Sequence, residues 1–289
     1  MLIPMLRKFD PLRYPGTDTV KSSDERLSIR YLGTAGFVLE GAQTTLALDP
    51  FVSRPSLLQT ALGPLRPDKA LIQREIPACD GVLVGHAHHD HILDAPELCK
   101  QTGAVLVGSP AVANVGRAAG LPPEQLIETE GRELIDIGGA KVTGLPSRHG
   151  RVYFNRVTLP GDIPEPPPWP ARFWHLRHGL VLNWHVELNE RRIVHIDSAD
   201  FIEEELDGQH ADVLCLCAIG RRYRPHYVER AVKLTKARLV VACHWDWLFT
   251  PFDATPRELP GVELKNFVRE IEATGAQAVV PGFGARFSI

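Results

Sequence analysis

The sequence predicts an α/β protein in which two β-sheets pack face to face with helices outside. Three observations lead there. Apolar runs of strand length recur in both halves of the 289 residues, amphipathic helical stretches follow them, and glycine or proline turns separate the two. No solenoid repeat and no break in composition divides the chain, so residues 27–289 read as one domain behind an extended arm, residues 1–26.

The elements follow in order. Leu27–Leu32, Phe37–Glu40 and Thr45–Leu48 read as successive antiparallel strands, the third ending at Asp49-Pro50 because proline cannot donate to a ladder. Pro55, Pro64, Pro67 and Pro77 make residues 53–77 a long surface excursion. Asp80–Gly85 is a buried strand ending in a glycine turn. Asp94 is placed to cap a helix through Gln101, Val105–Val107 returns as a strand, and Ala111–Ala119 is a helix stopped by Gly120. Lys141–Leu145 is a strand, and the six prolines of residues 160–170, with Trp169, form a rigid loop suited to walling a cleft. Val181–Leu188 and Arg192–Ile196 pair as a hairpin around Asn189-Glu190. Asp212–Ala218 and Leu239–Cys243 are strands, with His226–Thr235 a helix between them. Val262–Thr274 is a helix whose Val262, Leu264, Phe267, Val268 and Ile271 form one apolar stripe, and Ala278–Val280 closes as a strand.

Composition narrows the function. Charged residues make up 23% and hydrophobic ones 44%, with a net charge of −3, so nothing points to nucleic acid or an anionic membrane. No apolar stretch is long enough to span a bilayer, and the short apolar start precedes Arg7-Lys8, the wrong order for a secretory signal. The five cysteines are odd in number and sit mostly in apolar runs, as reduced thiols of a cytoplasmic protein do. Cys215 and Cys217 share one face of a strand, where core packing is favoured over a zinc or redox pair.

The chemistry concentrates in His86-Ala87-His88-His89-Asp90-His91, an H-x-H-x-D-H run on the loop that leaves a rigid strand. Imidazoles and a carboxylate are good zinc ligands, and such a loop can hold them converged on one point. Further donors follow other strands: His149, then Asp197 and Asp200 in one short run, then His244. Singly each reads as a polar turn residue, but together they supply the N/O donors that two adjacent metals need. Arg221, Arg222 and Arg224 also follow a strand, where they suit either a clamp on phosphate or carboxylate or a solvated basic loop. Trp169, Phe173, Trp174, Trp245 and Trp247 can line an apolar cleft or pack in the core.

On these residues the sequence resembles the metallo-β-lactamase superfamily, whose signature His86, His88, Asp90 and His91 match completely. Tyr31–Phe37 and Leu48–Phe51 look like the first strands of the branch containing ascorbate-6-phosphate lactonase and the phosphodiesterase-like hydrolases. Thr34 stands where that branch often has histidine, and Cys243-His244-Trp245-Asp246 is similar to its T-H-W-D segment. The likeness covers roughly residues 27–285.

The resemblance implies an αββα sandwich with metals at one edge. His86, His88 and His149 would hold one divalent ion, and Asp90, His91 and His244 the other. The bridge would be Asp200, since Ser198-Ala199-Asp200 resembles the family's S-G-D turn, with Asp197 as the alternative. Zinc suits the donors, and Mn²⁺, Fe²⁺ or Ni²⁺ can take the same sites. The implied activity is hydrolysis of an ester, lactone or phosphodiester, with Asp90 receiving a proton and Asp49 and Asp246 orienting the imidazoles. The substrate would be a small molecule, anionic if Arg222 and Arg224 clamp it. Other readings are an iron-using oxidoreductase, a metal-stabilised binding protein and a nuclease. The complete ligand set argues against the binding protein, and the lack of a basic stripe against the nuclease.

Overall fold

Short turns between apolar runs make neighbours of consecutive strands. The computed structural model describes residues 6–22 and 26–289. Strands β1 (Ser28–Gly33), β2 (Gly36–Glu40) and β3 (Thr45–Leu48) form an antiparallel meander. Strands β4 (Gly81–Val84), β5 (Val105–Gly108) and β6 (Leu126–Glu128) extend it in parallel. A second sheet repeats the plan: β7 (Leu134–Ile137), β8 (Ala140–Ser147), β9 (Val181–Leu188) and β10 (Arg191–Ile196) run antiparallel. It continues in parallel with β11 (Val213–Cys217), β12 (Leu239–Cys243) and β13 (Gln277–Val279). Finally β14 (Arg286–Ser288) crosses back to pair with β1, giving two seven-stranded sheets.

Side-chain alternation builds the layers. Tyr31, Phe37, Leu39, Leu46 and Leu83 face the second sheet and join its Val142, Trp184, Val186 and Ile193 in one core. Leu32, Val38, Ala47, Val82 and Val84 point the other way, onto helices. That outer layer comprises α1 (Leu57–Leu62), α2 (Lys69–Glu75), the single-turn α3 (His89–Ile92), α4 (Ala95–Thr102) and α5 (Pro110–Ala118). The far side carries α6 (Glu203–Leu206), α7 (Tyr227–Thr235) and α8 (Leu264–Glu272), so the predicted αββα order is the observed one.

The hairpin around Asn189-Glu190 forms as expected, both residues having positive φ. Elsewhere the structure departs from the sequence reading. Residues 53–77, expected as a surface excursion, carry two helices that the reading did not place, α1 and α2, each with a side-chain cap from Ser56 or Asp68. Asp94 stands at the start of α4 without capping it, because its carboxylate accepts the Val52 and Ser53 N–H groups at 2.6 and 2.8 Å. Strands β6, β7 and β14 had no strong alternation to reveal them. In the N-terminal stretch, Phe9 and Tyr14 are buried, with the Phe9 ring 4.5 Å from that of Trp245. All five cysteines are free and buried, and none joins a candidate metal-binding group among the described residues. Among those residues no helix is long and apolar enough to cross a membrane.

Candidate metal centre

The first half of the molecule contributes donors through one turn. Strand β4, buried throughout, aims the chain at Gly85, where an added Cβ would overlap the Asp197 carboxylate. Only glycine allows that approach. Its N–H donates to Asp49 Oδ1 at 2.8 Å, and Asp49 Oδ2 accepts from His91 Nδ1 at 2.8 Å. This pairing leaves His91 Nε2 facing Asp90 Oδ2 at 3.8 Å. Asp49 makes both contacts from a left-handed backbone, φ +41°.

The second half contributes one donor per strand end. His149 lies just beyond β8 and donates Nδ1–H to Gly150 O at 2.7 Å, which leaves Nε2 for the cluster. Asp197 directly follows β10, and its Oδ2 lies 2.5 Å from His86 Nδ1. His244 follows β12 in a left-handed conformation, φ +51°, its N–H bonded to Thr34 O. Its Nε2 lies 3.3 Å from Asp90 Oδ2. The donors fall into three groups, each with ligand atoms within 4.8 Å of one another: His86, His88 and His149; His86, His91 and Asp197; Asp90, His91 and His244.

The electrostatics fit a metal. Burial, then the neighbouring imidazoles, push His86 and His88 well below the ordinary histidine pKa, and burial brings His149 down to about 4. Such rings are neutral and free to ligate. Burial disfavours charge on Asp90, but His91, His244 and His89 outweigh it and hold the carboxyl well below its usual range. Burial likewise opposes a charged His91, yet Asp49 and Asp90 hold it up at about 9, so this ring ligates only as a cation replaces its Nε2 proton. His86 Nε2 and His88 Nδ1 face each other at 3.1 Å, and Asp197 Oδ1 is buried without a hydrogen-bond partner. A shared cation satisfies all of these groups, and the mixed imidazole–carboxylate set is one that zinc and its neighbours take.

The structure therefore brings together His86, His88, Asp90, His91, His149 and His244 with Asp197, while Asp200, the expected bridge, lies outside these groups. Asp197 continues the alternation of β10, on the face of His195, whose ring meets Phe37 and Ala35 O of the first sheet. Asp200 lies past a turn closed by its N–H on Ser198 O, and its carboxylate pairs with Arg224. Asp49 orients an imidazole as expected, but Asp246 does not. It accepts from Tyr31 OH (2.5 Å), Thr34 N–H (2.7 Å) and the buried Arg54 guanidinium, bracing the loops around His244.

Arg222 and Arg224, expected to clamp an anionic substrate, are not among the residues lining the cleft over the donors. Arg224 is held by Asp200, Glu203 and Phe201 O, and Arg222 by Tyr223 OH. Both line a separate groove of about 1050 Å³ along α7 and α8. The cleft over the metal centre, about 310 Å³, is walled by Tyr153, Leu159, Phe173, Ile219, Leu248 and Phe249, with no lysine or arginine among its described lining residues. Of the aromatics singled out in the sequence only Phe173 lines it; Trp245 is buried against Phe9. Sequence reasoning missed His178, which lies between the proline-rich loop and β9 and stacks on His149 at 5.5 Å. No periodic pattern marks that loop, so only its histidine content pointed there.

The comparisons identify the family. The model of a beta-lactamase superfamily domain matches residues 44–245. A UPF0173 metal-dependent hydrolase of Methanopyrus kandleri is 27% identical over 258 residues, 88% of this chain and 95% of its own. One from Thermococcus onnurineus is 28% identical over 238 residues, 80% and 90% of the two chains. Among solved structures, Igni18, a metallo hydrolase of Ignicoccus hospitalis, superposes with a TM-score of 0.57 at 20% identity over 91% of this chain and 98% of its own. An isothiocyanate hydrolase from Delia radicum gut bacteria gives 0.57 at 16% identity, over 91% and 99% of the chains. At such identities the superpositions establish the fold.

Proposed function

The chain belongs to the metallo-β-lactamase superfamily and is a metal-dependent hydrolase, and on that premise we propose that it hydrolyses uncharged carboxylic esters or lactones at a dinuclear metal centre. One observation carries the reading: two complete donor triads meet at the floor of one apolar cleft, with Asp197 beside both. His86, His88 and His149 would hold one divalent ion and Asp90, His91 and His244 the other, with Asp197 bridging. Zinc is the favoured metal for this donor set, with Mn²⁺, Fe²⁺ and Ni²⁺ as competitors.

When bound, the ions supply a water of lowered pKa and polarise the substrate's oxygen. The chain's own groups do the rest. Asp49 fixes the tautomer of His91 by accepting its Nδ1–H. Asp90, kept ionised by the surrounding imidazoles, receives the proton of the attacking water at Oδ1, the oxygen not directed at His91 and His244. The apolar walls exclude competing water and strengthen each electrostatic contact inside. Beyond the ions themselves, no lysine or arginine among the described lining residues is placed to clamp a phosphate, which favours a neutral carbonyl over a phosphodiester and over the phosphorylated lactone that the ascorbate-6-phosphate likeness suggests. Free, buried thiols suit a reducing, cytoplasmic setting.

Elemental analysis of protein purified without added metal, followed by a panel of neutral esters, lactones and phosphodiesters, tests the proposal. About two metal equivalents per chain are expected, with turnover of neutral substrates abolished by chelation and regained on metal return. A chain that binds no metal, or cleaves only phosphodiesters, would overturn it.

A further inference from the structure

The cleft wall continues outward into an apolar rim. Leu57 and Ala61 of α1 line the cleft, and one residue further round, Leu58 and Leu62 form a second stripe facing solvent, 69% and 67% exposed. Tyr153 also lines the cleft, while its neighbour Phe154 is 90% exposed and has φ +57°, a conformation bulky side chains avoid. Phe173 lines a third part of the wall, and the exposed Trp174 meets it edge-on at 5.2 Å. Arg172 lies over the Trp174 ring at 5.1 Å and donates to Leu62 O at 3.0 Å, joining this side to α1.

Single exposed apolar residues need no explanation. Among the described residues, every exposed large apolar side chain except Leu12 and Leu134 either lines the cleft or directly neighbours in sequence a residue that does.

We infer that the rim is a subsite for a long, uncharged alkyl or acyl chain of the substrate, which leaves the metal centre and lies over Leu58, Leu62 and Phe154. The inference rests on the ester and lactone reading above and names its substrate class, a lipid-like ester or lactone. At about 310 Å³ the cleft is at the small end of ligand pockets, so a long chain reaches past its mouth. Without lysine or arginine among the described lining residues, the walls offer an anionic group no partner beyond the ions at the floor, whereas an alkyl chain finds apolar surface along the wall to the rim. A small polar substrate would leave these side chains facing water with no role.

Displacement of Nile red by 1-butanol, 1-hexanol, 1-octanol and 1-decanol reads chain binding on the full-length, metal-loaded protein without turnover. Affinity should rise roughly two- to fourfold per added methylene, the range from half to full burial of a CH₂. The Leu58→Ser/Leu62→Ser/Phe154→Ser variant, altered only at exposed positions, should flatten that rise beyond 1-hexanol, whereas Leu134→Ser keeps it. A flat series in the unaltered protein, or an undiminished rise in the triple variant, overturns the subsite. So does a triple variant that keeps the rise but loses binding to phosphatidylcholine vesicles, or changes from dimer to monomer on sizing, since the rim would then contact a lipid surface or a second copy. Alcohol binding needs no catalysis. A failed hydrolysis panel with an intact series therefore sinks the reaction alone, and a flat series in an active enzyme sinks the subsite alone.

Discussion

The two halves of the molecule share an architecture and differ in how they reach the metal centre. Each has an antiparallel run followed by parallel strands. The first half delivers His86, His88, Asp90 and His91 from one turn after β4, while the second delivers His149, Asp197 and His244 from the separate ends of β8, β10 and β12. A turn can set four side chains with one local conformation. Three strand ends converge only when the whole second sheet is in register, and each donor then needs its own support, from Gly150 O for His149, Gly85 for Asp197 and Thr34 O for His244. The first half thus concentrates chemistry in sequence, and the second concentrates it only in space.

The sharpest test of the first half is Asp90→Asn, which keeps shape but removes the charge and the proton acceptor. Turnover should fall by roughly 10²- to 10⁴-fold with the circular dichroism spectrum unchanged. Normal turnover of the variant would return Asp90 to a purely structural part. For the second half, Asp197→Ala should cost at least one metal equivalent in elemental analysis, because its carboxylate sits among His86 and His91. Asp200→Ala should keep both equivalents and lose the partly exposed pair with Arg224 and the hydrogen bond from Phe201 N–H, together worth roughly 0.5–2.5 kcal/mol in chemical denaturation. Metal loss from the Asp200 variant alone would move the bridge three residues on. The smallest effect is expected for Arg222→Ala, outside both halves' donor sets and bound to Tyr223 OH. Its KM should stay within about twofold for anionic and neutral substrates alike. A rise confined to anionic ones would bring that loop back into the site.

The same contrast explains what was legible. Four donors within six residues make a motif that a single sequence displays, and Asp49, closing a strand before Pro50, was readable as its support. His149 and His244 were readable only as histidines after strands. Between Asp197 and Asp200 the S-G-D likeness favours residue 200, whereas the alternation of β10 carries residue 197 onto the face of His195. Helix α1 was missed although Ser56 and Gln59 form a capping box, because the surrounding prolines dominated the reading. Asp246 was misassigned for a different reason. Adjacency in sequence to His244 says nothing about direction, and its carboxylate turns towards Arg54, a residue 192 positions away.

That ion pair also orders events in time. Arg54 and Asp246 are both sealed from solvent, and the contact joins the stretch before α1 to the stretch after β12. Contacts of such separation close late, since the intervening chain must first surrender its freedom. Until then Asp246 cannot brace Thr34, and His244 has no fixed backbone to stand on. A half-folded chain can offer a metal the clustered histidines of the first turn but not the complete pair of triads. A labelled divalent ion pulsed during refolding is therefore expected to be retained in full only after this pair, and the β1–β14 pairing of still greater separation, have formed.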